Sequence, residues 1–396
     1  MKGPLTDKRI VLGVTGSIAC YKAVDLASKL VQAGAVVDTI LSYGATQFVT
    51  ALTFRSITHR PVVTDTFDVT SEFSVEHVAL AHTADLMVVV PATVHTIAKL
   101  ALGLADDPLT TTAVATTAPI IIAPAMDANM YDNPATQNNI STLIKRGITV
   151  CGPAPGRLAS GLMGMGRLIE PTELLGHITG IIGSQGDLAG KTIVISAGGT
   201  QEPIDPVRVI TNHSSGKMGY ALAEAARDRG AKVILITAPT ALPAPTSADV
   251  IHVNTAQEMC DAVLTKSKNA DVLIMAAAVA DYKPVNPADQ KIKKSEDYLN
   301  IELTKTVDIL EASPSNIIKV GFSAESENLI ANAKSKVSKK SLDLIVANDI
   351  TDPDSGFGVD TNKVVLIDRD HHIDALPVMS KYQVSQHILD RVSSLL

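Results

Sequence analysis

Three groups of residues in this chain stand where chemistry would need them. The first is a glycine–serine turn, "GVTGSIACYK", with Gly13, Gly16 and Ser17 between a β-branched run and a helical one. Glycine lets a backbone approach a ligand closely, and the N–H groups of a helix start bind phosphate. Only Gly-x-x-Gly is present, so the turn reads either as a phosphate cradle or as a tight strand-to-helix connection. Ser42, ending the next strand-like run, would add a hydroxyl to the same phosphate. The second group is titratable: His77 ahead of "DLMVVVPAT", and Asp281 after "MAAAVA", where a ribose, a base or a metal would be met. Taken alone, His77 suits a packed or surface role as readily as a catalytic one. The third group is cationic: "KIKK" at 291–294, and Lys336 and Lys340, four apart and so on one helical face. Bare charge of this kind reads first as solvated surface. "NHSSGKMG" from Asn212 to Gly219 lacks the P-loop pattern, because Thr211 and Met218 occupy its glycine and hydroxyl places. What remains is a serine–glycine turn opening an alanine-rich helix, a plausible anion cradle.

The elements that must position these groups alternate along the chain. Short apolar runs such as "RIVLGVT", "AVVDTILS" and "PIIIAPAM" are separated by helical stretches, and the alternation resumes with "KTIVISAGG", "AKVILITAP" and "DVLIMAAAV". Strands alternating with helices imply an α/β fold of two doubly wound, Rossmann-like domains with parallel sheets. The polar and glycine residues around 183–190 mark a linker between domains at 1–182 and 191–396. Ligands of such folds sit beyond the carboxyl ends of strands.

Composition narrows the function classes. Of 396 residues, 46% are hydrophobic and 19% charged, which describes packed domains rather than disorder. A net charge of −7 gives no general reason to expect nucleic acid, so anionic ligands need local devices. Three widely spaced cysteines suggest neither a disulfide framework nor a zinc site. The N-terminus has no signal-peptide pattern and no run approaches a membrane span, so the expectation is a soluble, cytoplasmic protein.

Taken together, "GVTGSIACYK", "SVEHVALAHTADLMVVVPATVHT" and "PIIIAPAMDANMYDN" resemble the flavin-dependent cysteine decarboxylases that act on phosphopantothenoylcysteine. The resemblance implies a flavodoxin-like flavoprotein domain. Gly16, Ser17 and Ser42 would hold the FMN phosphate, with Thr93 and His95 against the flavin and His77 as the base. It also implies the chemistry. The flavin takes electrons from the substrate thiol, the resulting thioaldehyde is the electron sink for loss of CO2, and the reduced flavin reduces the enethiol product.

"SAGGTQEPIDPVRVITNHSSGKMG", "AAVADY", "KIKK", "GFSAE" and "LDLIVANDI" resemble, in this order, phosphopantothenate–cysteine ligase, a nucleotide-binding domain. That resemblance implies CTP as cosubstrate, an acyl-cytidylate and a helper Mg2+. Lys291 would stabilise phosphate charge and Asn212 the acyl intermediate. Met275, Ala276, Ala277, Asp281 and Phe322 would line the cytosine–ribose site, with Asp281 near the metal. Asp308, Lys336 and Lys340 would meet the rest of the nucleotide. The order of the halves is similar to the bifunctional coenzyme A biosynthesis proteins. Their substrates would be 4′-phosphopantothenate, cysteine, CTP and 4′-phosphopantothenoylcysteine. The resemblance implies a homo-oligomer with trimeric flavin domains and dimeric ligase domains, combined in a dodecamer.

Three positions depart from the decarboxylase pattern. Asp127 and His95 stand where amides are usual, and Ser160, in "GRLASGLMGMGRL", stands where a cysteine gives a proton in the final reduction. In the ligase half "KTVDI" retains Asp308 of the usual turn but departs at Thr306 and Val307. The resemblance makes "GRLASGLMGMGRL" a glycine-hinged flap over the flavin. The departures leave a second expectation, an active ligase fused to a flavin-binding domain with impaired or lost decarboxylation. A NAD-dependent dehydrogenase lacks its glycine fingerprint in both halves.

Overall fold

The computed structural model describes residues 3–66, 76–294, 299–325, 327–349, 356 and 358–396. The chain forms two compact units, Met1–Ile182 and Gly183–Leu396.

The first unit is built on six parallel strands: β1 (Arg9–Val14), β2 (Val36–Leu41), β3 (Val62–Val63), β4 (Leu86–Ala92), β5 (Ile120–Pro124) and β6 (Thr149–Val150). Both faces of the sheet are covered, which is why the strands read as unbroken apolar runs. Along β1, Ile10, Leu12 and Val14 enter one core while Val11 enters the other, and β4 divides Val88 and Val90 from Met87 and Val89 in the same way. The helix Cys20–Gln32 buries Cys20, Ala23, Leu26, Ala27 and Leu30 at helical spacing and stops at Gly34, whose φ of 89° suits glycine.

The strand order is β3-β2-β1-β4-β5-β6. This is the order of doubly wound dinucleotide folds and differs from the 2-1-3-4-5 order of flavodoxin. The flavodoxin-like expectation therefore holds for the layers and not for the connectivity. The chain adds β3 outside β2 and only then crosses to the far side of β1. The direction of progression reverses between β1 and β4, and a crevice opens there. Past β6, an antiparallel hairpin of β7 (Ala154–Arg157) and β8 (Met163–Arg167) stands apart from the sheet.

The second unit's sheet has eight strands. Its order is Asp249–His252, Lys232–Thr237, Thr192–Ala197, Val272–Met275, Ile318–Glu325, Leu344–Asp349, Val364–Asp368 and Ile373–Ala375. The first six run parallel, while Val364–Asp368 pairs antiparallel with both neighbours. The all-parallel expectation fails at this edge. Among the described residues no helix lies between Leu344–Asp349 and Val364–Asp368, and the turn after it, with His371 at φ 64°, folds the chain straight back.

The segment read as a linker is packed. Gly183–Gln185 forms a short 3-10 turn, and Leu188, fully buried, belongs to the second unit's core.

Candidate active sites

In the first unit a cleft of about 1420 Å³ lies beyond the carboxyl ends of β1, β2, β4 and β5. Seven expected residues meet there, since Gly16, Ser17, Ser42, Thr93, His95, Asp127 and Ser160 all line it. A Cβ on Gly16 would lie 2.8 Å from the Gly44 backbone, so the β1 and β2 loops close on each other as only glycine permits. The helix Cys20–Gln32 begins at this point with no side-chain cap and no acid in its first turn. Its positive end is left for a ligand. Ser17 Oγ accepts from the Ala19 N–H and Ser42 Oγ from the Ala45 N–H, each at 3.2 Å, and each hydroxyl keeps its own proton to donate. The loop after β4 is fixed by Thr15, whose hydroxyl donates to the Pro91 carbonyl at 2.6 Å and accepts from the Thr93 N–H at 3.1 Å.

The hairpin β7–β8 forms one wall. Two of its glycines, Gly164 and Gly166, answer close packing, while Gly161 at φ 88° has open space around it. A Cβ on Gly164 would sit 2.7 Å from Ala128 Cβ, and one on Gly166, at φ 145°, would overlap the Met126 carbonyl oxygen. The Met126 N–H donates to the Gly166 carbonyl at 3.0 Å, so hairpin and β5 loop are tied. At the tip, Ser160 donates to Asp127 Oδ2 at 2.7 Å. Two departures that the sequence presents 33 positions apart are thus one contact. The Ser160 hydroxyl and then the Asn129 N–H hold the Asp127 carboxyl below the usual aspartate range.

His77, half-buried in the helix Glu76–Thr83, does not line this cleft, and residues 67–75 before it lie outside the described residues. Cys151 is no substitute proton donor. It is buried, and burial together with the Glu173 charge pushes its thiol up to about 12.

In the second unit Phe322 lies within Ile318–Glu325 and Lys336 and Lys340 on the helix Leu329–Lys340, while Met275 ends Val272–Met275 and Ala276, Ala277 and Asp281 follow it, beside the loop after Thr192–Ala197. The loops there interlock. The Ala278 N–H donates to the Gly198 carbonyl at 2.8 Å, the Ala277 N–H to Ser196 Oγ at 3.0 Å, and Asn212 Nδ2 to the Val279 carbonyl at 3.1 Å. Asn212 is exposed, and Ala276, Ala277 and Phe322 are half-buried. Met275 is buried in the core. Asp308 caps Ile309–Ala312 and pairs with Lys340 at 2.8 Å, while Lys336 pairs with Glu325 at 2.7 Å. Burial raises the Glu325 carboxyl, but hydrogen bonds from Lys336, Ser323 and Asn332 hold it below its usual range.

Lys291 is exposed, and its loop is pinned where buried Asp205 accepts from the Ile292 N–H at 3.2 Å. Asp281 is also exposed, with its carbonyl accepting from the Thr306 N–H at 3.0 Å. It joins no cluster of three metal-ligating groups among the described residues. The cluster that does occur, Asp368, Asp370 and His372, lies in the turn at the far edge of the sheet, where Arg391 already meets Asp368 at 3.0 Å.

A family model described as "Flavoprotein" matches residues 1–183, and one described as "DNA/pantothenate metabolism flavoprotein C-terminal domain" matches 188–396. A solved C-terminal domain of a coenzyme A biosynthesis bifunctional protein CoaBC is 40% identical, covers 53% of this chain and 97% of its own, and has a TM-score of 0.45. The CoaBC of Escherichia coli K12 is 39% identical, covering 98% of this chain and 97% of its own. That of Bacillus subtilis is 46% identical over 397 residues, covering 99% and 98%. The chain belongs to the CoaBC family. As a CoaBC protein it is a bifunctional enzyme of coenzyme A biosynthesis, with a phosphopantothenoylcysteine decarboxylase half and a phosphopantothenate–cysteine ligase half. These relatives and family models give no support to the reading of a lost decarboxylase. No helix among the described residues is long and apolar enough to cross a membrane.

Sequence reasoning missed the lysines of the first unit's cleft. Lys22 meets Glu170 at 2.9 Å and the Leu168 carbonyl at 3.0 Å, and Lys99 meets Asp106 and Asp107 at 2.6 and 2.8 Å. The Lys22 partners lie some 150 positions away, with no local signal. For Lys99 a signal existed in "DDP", an acidic cap followed by proline at a helix start.

Proposed function

We propose that the first half binds FMN in its cleft and decarboxylates 4′-phosphopantothenoylcysteine, and that the second half makes that compound from 4′-phosphopantothenate and cysteine using CTP and Mg2+. The observation that carries the first reading is the Gly16–Gly44 cradle beneath an uncapped helix start, which fits a phosphate monoester. Gly16, Ser17 and Ser42 hold the FMN phosphate, and Thr93 and His95 face the flavin. When bound, FMN supplies the two-electron oxidation that makes the substrate's thiol carbon an electron sink. Asp127 and Ser160 close the hairpin over the reacting end and orient it, with the Ser160 proton donated to the Asp127 carboxylate.

His77 lies off the cleft of its own chain. Around the cleft mouth Ile18, Tyr21 and Tyr43 are 61%, 65% and 82% exposed, an apolar rim that suits self-association. His77 therefore serves as base in a homo-oligomer, in the cleft of a neighbouring copy.

In the second half Lys291 and Asn212 act on the acyl-cytidylate. Ala276, Ala277, Asp281, Phe322 and the Met275 backbone hold cytidine, and Lys336, Lys340 and Asp308 border the phosphates, which carry the Mg2+. Lysine is suited to this as a mobile point charge. Both halves work in the cytoplasm.

Incubation with phosphopantothenate, cysteine, CTP and Mg2+, with products identified by mass, tests both halves. The expected sequence is pyrophosphate release, then a condensed product, then loss of CO2. Condensation without CO2 loss would refute the first half; no condensed product would refute the second, and CO2 release from supplied phosphopantothenoylcysteine then decides the first. Lys291→Ala is expected to abolish pyrophosphate release, and an unchanged rate would remove Lys291 from the mechanism.

A further inference from the structure

The lysines and arginines lining the first cleft are Lys22, Lys99, Arg157 and Arg167. Three already have carboxylate partners. Lys22 is paired with Glu170 at 2.9 Å, Lys99 with Asp106 and Asp107, and Arg167 with Glu170 at 3.6 Å. Arg157 differs. It is the last residue of β7, it is exposed, and among the described residues its guanidinium has neither a carboxylate nor a hydrogen-bond partner. Its cross-strand neighbour is the uncharged Met163, and Ser160, three residues on, touches Asp127. The hairpin thus brings an unneutralised fork of N–H donors to the wall of a cleft that also contains Asp25, Asp107, Asp127 and Glu170.

We propose that Arg157 binds the phosphate monoester of the decarboxylase half's substrate and sets its preference for phosphorylated over unphosphorylated molecules. The proposal rests on the decarboxylase reading above. A phosphate dianion entering a cleft with four carboxylates needs a cation of its own, and the helix start at Gly16 is assigned to the cofactor's phosphate. A guanidinium presents paired N–H groups that match phosphate oxygens. The substrate's other acidic group, the carboxylate that departs as CO2, is the poorer match. A cation on it would stabilise the ground state that the reaction must leave, whereas a phosphate keeps its charge throughout. Contact with the phosphate lowers KM and leaves kcat alone.

The test uses full-length, FMN-loaded protein and measures CO2 release from phosphopantothenoylcysteine and from its dephosphorylated form, for wild type, Arg157→Ala and Arg157→Lys. Flavin absorbance and a thermal melt report that each variant is folded and loaded. Arg157→Ala is expected to raise KM for the phosphorylated substrate roughly ten- to hundredfold, the range of one charge-assisted contact. It should move the unphosphorylated substrate less than threefold, and Arg157→Lys should recover part of the preference. Equal losses with both substrates would overturn the proposal in favour of a carboxylate or structural contact. No change with either would overturn it as well. Wild-type protein silent towards both substrates is a different outcome, which refutes the decarboxylase reading and this inference with it.

Discussion

Replacing Gly16 by alanine tests the phosphate cradle at its tightest point. The Gly16 backbone is not in the left-handed region, so alanine costs nothing in conformation and the effect is purely one of space. The new methyl would stand 2.8 Å from Gly44 Cα and C and 2.9 Å from Gly44 O, all backbone atoms that cannot rotate away. Carbon contacts settle near ~3.5 Å, so the two loops must part by about 0.7 Å. A phosphate N–H···O contact of ~2.9 Å lengthened by that much passes ~3.5 Å and ceases to be a hydrogen bond. Losing one such charge-assisted contact, worth about 2–3 kcal/mol, weakens FMN binding roughly 30- to 150-fold. The assay is quenching of flavin fluorescence as FMN is titrated into apoprotein at fixed salt, with CTP-dependent pyrophosphate release as the internal control. A dissociation constant within threefold of wild type, in a folded variant, would show that the phosphate does not sit between these loops.

Three further outcomes are expected. Ser160→Ala should let the Asp127 carboxyl rise towards the ordinary aspartate value. Because its pKa in the folded chain is depressed, the hairpin-tip contact is present above the ordinary value of about 4 and is lost as pH falls through the lowered one. Carboxyl 13C titration would expose the idea as wrong if both proteins titrate alike. Gly166→Ala, with its methyl against the Met126 carbonyl at φ 145°, should destabilise the flavin unit by about 1–3 kcal/mol, and an unchanged melt would contradict that. Cys20, Cys151 and Cys260 are buried with thiols pushed up, mainly by burial, so at pH 8 a disulfide reagent should label none of the three until the chain unfolds. Rapid labelling of native protein would count against this burial.

The strand ends were legible because each is an apolar run closed by glycine, serine or proline, and the first unit's cleft lies at those ends. Gly16, Ser17 and Ser42 converge because βα loops must meet at a switch point. What could not be read is what depends on distant partners. Ser160 and Asp127 look like separate losses in the sequence, and only the hairpin's position joins them. Within "GRLASGLMGMGRL" nothing announces that Gly166 is glycine because another backbone lies against it. The antiparallel edge beyond Leu344–Asp349 gave no signal either, since strand direction is decided by the connection and not by the residues within the strand. His77 shows the opposite limit, a residue singled out by motif that its own chain leaves outside the cleft.

Leu188 has a practical consequence for anyone who would separate the two halves. It is fully buried in the second unit, its N–H donates to the Arg229 carbonyl at 3.1 Å, and beside it Asp187 pairs with Arg229 while Gly186 presses on the Arg229 backbone. A fragment starting at Lys191, where the polar stretch invites a cut, would leave a hole the size of a leucine, costing about 2–5 kcal/mol. That is a large share of the ~5–15 kcal/mol by which ordinary domains are stable. The safe incision lies upstream of Gly183, and the residues that look like a tether are the doorstep on which the ligase half stands.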